Sequence, residues 1–194
     1  MYSTYSTRTT DEWIALLAEQ QALIKRLSWH TTLNMLTSAG LHEAIRTLPE
    51  GRYTIVFADI DRLRDINRVT GNHLRSNRYL AAGLKVRDGE IAGQLLGDEF
   101  IFILAENGPS GRRRRGHSAN AFVARIARQL AGQPLLQSER YALAAAHGCH
   151  VSQARLSATF STMSGVRAHD VMQAIEWLSG DVLRLKAERD EVMV

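Results

Sequence analysis

Two acidic pairs carry the residue types that could do chemistry in this sequence. Asp59 and Asp61 follow one short apolar run, and Asp98 and Glu99 precede another. Carboxylate oxygens are hard ligands that suit Mg²⁺ or Mn²⁺, and such ions commonly carry the phosphates of a substrate. Each pair alone is equally typical of a helix start or an exposed turn. If the pairs converge, their mutual repulsion makes a bound cation the better hypothesis.

The segments around these acids indicate the elements that hold them. Residues 53–58 form an apolar, β-branched and aromatic run, which predicts a buried strand that ends at Asp59. Apolar residues at helical spacing over 63–69 predict a helix directly after it. The runs 90–95 and 100–104 predict a β-hairpin whose turn holds the second acidic pair.

The N-terminal segment predicts a helix with one apolar side. Thr9 and Glu12 have the spacing of a capping box. The apolar residues that follow are spaced four and three apart and are interrupted by Gln20: Trp13, Leu17, Ile24 and Leu27. A short coiled coil and a helix lying on its own domain both fit this spacing. We expect residues 1–29 to form a tail and a helix, a linker or a dimerisation element, and residues 30–194 to form one domain.

The rest of the chain predicts more helices and one further strand. Residues 134–155 stay unassigned, because 141–146 fit a strand or a helix. The assigned segments are an amphipathic helix over 33–48, a helix over 74–84, a helix over 122–130 capped by Ser118, a strand over 156–166 and a last helix over 171–185. This order predicts a single α/β or α+β layer structure with helices packed on a sheet.

Composition excludes several classes of protein. The chain has 194 residues, of which 45% are hydrophobic and 23% charged, and a single cysteine, Cys149. These values exclude a collagen-like, disordered or disulfide-stapled chain. We expect a cytoplasmic location, because no apolar run is long enough for a membrane span and the N-terminus lacks the features of a secretory signal.

The basic balance of the chain comes from one place. The net charge is +4, and Arg112, Arg113, Arg114 and Arg115 account for all of it. A protein that coats nucleic acid usually spreads its basic residues along a face, so nucleic acid is a weak candidate partner. The arginine run could hold a phosphate, but most such runs are solvated loops.

Two motifs in order resemble the GGDEF family of diguanylate cyclases. That family has the pattern D-x-D-x-F-K-x-I-N-D-x-x-G-H-x-x-G-D followed by a GGDEF hairpin. The matching segments are Asp59-Ile60-Asp61-Arg62-Leu63-Arg64-Asp65-Ile66-Asn67 with Gly71, and Leu96-Gly97-Asp98-Glu99-Phe100. The resemblance continues more weakly over residues 30–190. It implies a ferredoxin-like palm, with a central antiparallel-rich sheet flanked by helices, and a homodimer that condenses two GTP into the signalling nucleotide cyclic di-GMP.

The same resemblance implies a role for individual residues. Asp59, Asp98 and Glu99 would be catalytic, with Glu99 beside the attacking 3′-hydroxyl. Mg²⁺ or Mn²⁺ would be held by Asp59, the backbone carbonyl of Ile60, Asp98 and Glu99. The implied substrate contacts are Asn67 on the base, Arg64 on phosphate, Gly97 in the hairpin, Ser76 at the place of a guanine-binding Asp, and Lys186 in the last helix.

Departures from the family pattern keep alternative functions open. Leu96 replaces the first Gly of the signature, and Ser76 replaces an Asp that contacts guanine, which allows a cyclase that also makes cyclic GMP-AMP. Arg87 and Glu90 lie at the offset of the family's R-x-x-D product-inhibition site, although an exposed turn before a strand explains them better. A degenerate domain that binds GTP or a cyclic dinucleotide without turnover is the main alternative. A nucleic-acid-associated protein is the weaker one.

Overall fold

The structure, a computed structural model, describes residues 9–71, 73–107 and 118–192. Seven α-helices and six strands occur within these ranges: α1 (Thr10–Leu27), β1 (Trp29–His30), β2 (Met35–Leu36), α2 (Ser38–Arg46), β3 (Arg52–Ile60), α3 (Leu63–Thr70), α4 (His73–Gly83), β4 (Glu90–Leu96), β5 (Glu99–Ala105), α5 (Ala119–Ala131), α6 (Gln137–His147), β6 (Ala158–Arg167) and α7 (Val171–Val192).

The strands form one mixed sheet in the order β1-β2-β4-β5-β3-β6. The pair β2 and β4 is parallel, and every other neighbouring pair is antiparallel. The strand β3 lies between β5 and β6, and all of its residues after Arg52 are buried. The prediction of an α+β fold with an antiparallel-rich sheet is therefore confirmed.

Side chains of β3 alternate between two cores, one on each face of the sheet. Ile55 and Phe57 point to a core shared with α2 and α7, whereas Val56 and Ala58 point to a core shared with α3, α4, α5 and α6. Phe57 is 1% exposed, and burial of such a side chain contributes about 1.5–3 kcal/mol. Because both faces are covered, β3 is a rigid support for the acidic residues at its end.

Local signals in the sequence are confirmed at several helix ends. Thr9 and Glu12 form the capping box of α1, since the Thr9 Oγ1 accepts from the Glu12 N–H and the Glu12 carboxylate accepts from the Thr9 N–H. Ser118 caps α5 by accepting from the N–H of Ala121 at 3.2 Å. Gly71 ends α3 with a φ of 66°, a left-handed conformation that glycine adopts without strain.

The predicted amphipathic helix over residues 33–48 is wrong in its first part. The helix α2 begins at Ser38, and the preceding residues form the short antiparallel pair β1 and β2. Asn34, in the turn between these strands, has a φ of 54°, which a continuous helix does not allow. The helix prediction used the spacing of Leu33 and Leu36 with the later leucines, but Leu33 is buried from the turn and Leu36 belongs to β2, so this part of the spacing reflects burial rather than a helix.

Two other regions singled out in the sequence can be compared with the structure. The unassigned stretch 141–146 lies in α6. The arginine run 112–115 lies outside the described residues. Among the helices that the structure describes, none combines the length and the apolar character that a membrane span requires.

Candidate active site

The two acidic pairs meet at one edge of the sheet. Asp59 and Glu99 are direct partners in the antiparallel pair of β3 and β5. The N–H of Ile60 donates to the carbonyl of Asp98 at 2.9 Å, which holds the hairpin turn against the end of β3. The convergence that the sequence left conditional is therefore present in the fold.

Both register partners face the helix α7. Ile55 and Phe57 of β3 and Ile101 and Ile103 of β5 point to the α7 side of the sheet. Side chains two residues apart along a strand share a face, so the carboxylates that follow in each series lie on this side too. The apolar layer between the sheet and α7 thus becomes acidic at its end.

Glu99 is poised to bind a proton more tightly than an ordinary glutamate. Burial of its carboxyl group raises its pKa, the negative charges of Asp59 and Asp98 raise it further, and Lys186 opposes them. A carboxylate with a raised pKa is suited to general-base work near neutral pH.

Asp59 is 6% exposed, and its carboxylate binds the ammonium group of Lys186 from α7. Burial raises the pKa of Asp59, the hydrogen bond and charge of Lys186 lower it, and the nearby charges of Asp98 and Asp61 raise it again. The net direction is upward, so Lys186 compensates only part of the cost of burying this carboxylate.

Asp61 has a different environment although it lies only two residues further along the chain. Its Oδ2 accepts from the Ser157 hydroxyl at 2.7 Å and its Oδ1 from the Thr159 hydroxyl at 2.8 Å. Arg189 of α7 adds an ion pair at 3.0 Å. Asp61 therefore joins the end of β3 to β6 and to α7, which is a structural role.

A cleft of about 510 Å³ opens beside the hairpin turn. It is lined by Leu63, Arg64, Asn67, Arg68, His73, Gly97 and Asp98. Four of the predicted site residues, Arg64, Asn67, Gly97 and Asp98, thus share one surface. Arg68 and His73 line the same cleft and escaped the sequence reasoning, although the excess of basic residues over 62–75 was a visible signal for an anionic ligand.

Ser76 lies behind the cleft and not on its surface. Its side chain is 0% exposed, and its hydroxyl donates to the Oδ1 of Asn67. A ligand in the cleft cannot reach a residue that is fully buried. Any effect of Ser76 on substrate choice therefore passes through the orientation of the Asn67 amide.

The hairpin turn leaves room beside its backbone. Gly97 has a φ of 31° and open space where a side chain would project. The amide of Gln94 donates to the carbonyl of Gly97 at 2.6 Å, which fixes the turn. Leu96 is 68% exposed and is not part of the cleft lining, so this substitution in the signature does not fill the cleft.

The donor atoms at this end of the sheet are of the kind that Mg²⁺ prefers. The carboxylates of Asp59, Asp98 and Glu99 are hard oxygen donors, and their repulsion, visible in the raised pKa of Glu99, is what a cation would neutralise. Within the described residues, no three His, Cys, Asp or Glu side chains are grouped closely enough to hold a metal ion. In this structure, Lys186 provides the positive charge at Asp59.

The predicted inhibitory pair, Arg87 and Glu90, lies away from this cluster and is tied up internally. The Glu90 side chain is 4% exposed and binds Arg125 of α5 at 2.6 Å. It also accepts from the backbone N–H of Arg87 at 2.8 Å. Arg87 is exposed. The carboxylate at this position thus has intramolecular partners, and inhibitor binding here stays a prediction.

Comparison of the sequence with known proteins finds no match, whereas comparison of the structure identifies proteins with the same fold. No protein-family model matches the sequence, and no curated protein matches it either. Several solved structures share its fold, and three of them are described below.

The first is the diguanylate cyclase SiaD in complex with its activator SiaC from Pseudomonas aeruginosa, with a TM-score of 0.59, 15% identity and coverage of 92% of this chain and 66% of that chain. The second is the coiled coil and GGDEF domain of DgcB from Caulobacter crescentus in complex with c-di-GMP, with a TM-score of 0.55, 15% identity and coverage of 92% and 91%. The third is a sensory box/GGDEF family protein from Caulobacter crescentus CB15, with a TM-score of 0.50, 16% identity and coverage of 83% and 99%. The chain thus has the fold of GGDEF domains.

Proposed function

We propose that this chain is a divergent GGDEF-type nucleotidyl cyclase that condenses two GTP into cyclic di-GMP. The observation that carries the proposal is the register of the sheet, which pairs Asp59 with Glu99 next to the hairpin turn, and Gly97 and Asp98 of that turn line the cleft together with Arg64 and Asn67. The GGDEF fold of the chain and the c-di-GMP bound to DgcB support it.

The proposed mechanism assigns a task to each side chain. Asp59, Asp98 and the Ile60 carbonyl would hold Mg²⁺ or Mn²⁺. A cation held by these groups would supply positive charge to neutralise a triphosphate and would help to orient the reacting oxygens. Glu99 accepts the proton of the attacking 3′-hydroxyl, the oxygen of which bonds to the α-phosphorus of the second GTP while pyrophosphate leaves. Arg64 binds phosphate and Asn67 contacts the base.

Product analysis tests this function. The purified chain is incubated with Mg²⁺ or Mn²⁺ and with GTP, ATP or both, and the products are separated and identified by mass. We expect cyclic di-GMP and pyrophosphate from GTP, because Asp59 and Glu99 pair at the end of the sheet and the cleft opens beside the Asp98 turn. A mixed cyclic GMP-AMP would show that Asn67 and Ser76 relax the choice of base. Absence of any cyclic dinucleotide would contradict the proposal.

A second candidate is binding of GTP or cyclic di-GMP without turnover. The ion pair between Lys186 and Asp59 favours it, because a predicted metal ligand is already neutralised in the described fold. The same incubation separates the two candidates, since nucleotide retained by the protein without a cyclised product identifies a binding domain.

We further propose that the active form is a homodimer joined through α1. Trp13, Leu17, Ile24 and Leu27, spaced as in a coiled-coil seam, are between 51% and 59% exposed. Two cyclase subunits must meet because each presents one GTP. The double variant Leu17→Glu/Ile24→Glu is therefore expected to sediment as a monomer and to lose at least about 90% of its cyclase activity at low protein concentration.

Two alanines on the opposite side of α1 provide the matched control. Ala18→Glu/Ala22→Glu adds the same two charges outside the apolar seam and should leave both sedimentation and activity unchanged. A dimeric Leu17→Glu/Ile24→Glu protein would rule out α1 as the dimer contact.

A further inference from the structure

The helix α7 places two basic side chains against the acidic end of the sheet, and each binds a different aspartate. Leu178 and Val182 of α7 are buried against the sheet, and Lys186 and Arg189 follow them at intervals of four and three residues, on the same side of the helix. Arg189 binds Asp61 and Lys186 binds Asp59. The stripe of α7 that faces the sheet thus changes from apolar to basic where the sheet changes from apolar to acidic.

The two carboxylates differ in how firmly they are held. Asp61 accepts hydrogen bonds from Ser157 and Thr159 in addition to its ion pair with Arg189. The hydrogen bond and ion pair described for the Asp59 carboxylate both come from Lys186. Release of Asp61 would break three contacts, whereas release of Asp59 breaks one, so the Asp59 partner is the exchangeable one.

The chemistry of lysine supports exchange. An ammonium group is a compact, strongly hydrated charge on a flexible stem, and it binds a carboxylate or a phosphate equally well as a point charge. The side chain of Lys186 is 21% exposed and that of Asp59 is 9% exposed, so the lysine has more access to solvent than the carboxylate it binds. A divalent cation offers the buried carboxylate a stronger partner than one ammonium does.

We infer that Lys186 is a resident counter-ion of the cation site: it neutralises Asp59 in the metal-free protein and must be displaced before a divalent cation binds there. This inference rests on the proposed function, which makes Asp59 a metal ligand. Displacement leaves the ammonium group at the rim of the site, where a triphosphate would bind it. Lys186 is thus a positioning residue that lowers affinity for the cation alone and favours its entry together with nucleotide.

Binding of Mn²⁺ without nucleotide tests the inference directly. The concentration of free Mn²⁺ is followed by electron paramagnetic resonance as the full chain is added. Lys186→Met is expected to bind Mn²⁺ roughly tenfold more tightly than the parent, because it removes both the competing ammonium and its repulsion. Lys186→Gln removes the same charge but keeps a donor for Asp59, so it serves as the second variant if Lys186→Met does not fold. We expect it to bind Mn²⁺ more tightly than the parent as well.

Arg184→Met is the matched control. It removes one positive charge from the same helix, but Arg184 is 58% exposed and pairs with Asp181 and Glu188 instead of Asp59. We expect its Mn²⁺ affinity to equal that of the parent. A similar gain in Arg184→Met would mean that general charge, and not displacement of Lys186, controls affinity, and would overturn the inference.

Asp59→Asn separates failure of the inference from failure of the proposed function. Loss of Mn²⁺ binding in Asp59→Asn, with no gain in the Lys186 variants, would overturn the counter-ion role alone. Unchanged Mn²⁺ binding in Asp59→Asn would overturn both proposals, since the cation would not be held at Asp59. A gain in the Lys186 variants together with absent cyclase activity would retain the counter-ion role and reject the cyclase.

Discussion

Glu99→Gln is expected to lower the rate of cyclic dinucleotide formation by roughly 10²–10⁴-fold, the contribution that a positioned general base makes. Glutamine has the same shape as glutamate but cannot accept a proton at neutral pH. The fold should persist, because Glu99 is the first residue of β5, and Phe100 and Ile101, which follow it, remain fully buried. Initial rates of product formation, measured at saturating GTP and Mn²⁺, give the comparison.

The raised pKa of Glu99 also fixes the sign of two pH effects. In the metal-free protein, Glu99 should take up a proton at a higher pH than the ordinary glutamate value of 4.5, because burial and the negative charges of Asp59 and Asp98 favour its neutral form. Since the pKa is higher in the folded than in the unfolded chain, the free energy of unfolding decreases as the pH rises from that ordinary value through the folded pKa. Metal-free Glu99→Gln should therefore melt at a higher temperature than the parent at pH 7.

A surface glutamate controls this prediction. Glu50→Gln, in the exposed loop before β3, removes the same charge without touching the site and should keep both the cyclisation rate and the melting temperature of the metal-free protein. Cyclisation by Glu99→Gln at the parental rate would remove Glu99 from the catalytic residues.

The parts of the site that the sequence predicted are those encoded by local pattern. A buried β-branched run, a two-residue turn and helical spacing over 63–69 are short-range signals, and they placed Asp59, Asn67 and Asp98 correctly on β3, α3 and the hairpin. The register that pairs Asp59 with Glu99 follows once the strands are neighbours. That adjacency itself was an expectation from the family resemblance.

The parts that the sequence did not predict depend on distant contacts. The family resemblance singled out Lys186 as a substrate contact, but its contact with Asp59 spans 127 residues, and nothing in the pattern of α7 distinguishes an inward lysine from a solvated one. Ser157 and Thr159 gave a signal, since small polar residues alternate with apolar ones along β6, but the pattern alone does not say which carboxylate they meet. The mistaken helix over 33–48 has the same cause, because burial from a turn mimics helical spacing.

Asp61→Asn is expected to destabilise the fold by about 2–3 kcal/mol, whereas Asp59→Asn should change the free energy of unfolding by less than about 1 kcal/mol. Both substitutions remove one negative charge and keep the shape of the side chain. Each oxygen of Asp61 accepts at least one hydrogen bond. An amide nitrogen in place of Oδ1 would face the Arg189 guanidinium as donor against donor, and one in place of Oδ2 could donate to the Ser157 hydroxyl but would still lose the charge of the ion pair with Arg189. In Asp59→Asn, the remaining amide oxygen still accepts from Lys186. The substitution also removes the cost of burying a negative charge near Asp98 and Asp61, the same cost that raises the pKa of Asp59.

Chemical denaturation of the metal-free protein at pH 7 measures the two differences in one series. The contrast follows from the number of partners. Asp61 joins β3 to β6 and α7, whereas Asp59 is bound by one lysine and is proposed to bind a cation. A cyclase assay of the same proteins completes the test, because Asp59→Asn should be inactive yet stable. Equal destabilisation by both variants would show that Asp59 also stabilises the fold. The small change in the free energy of unfolding that is expected of a residue kept for cation binding would then be absent.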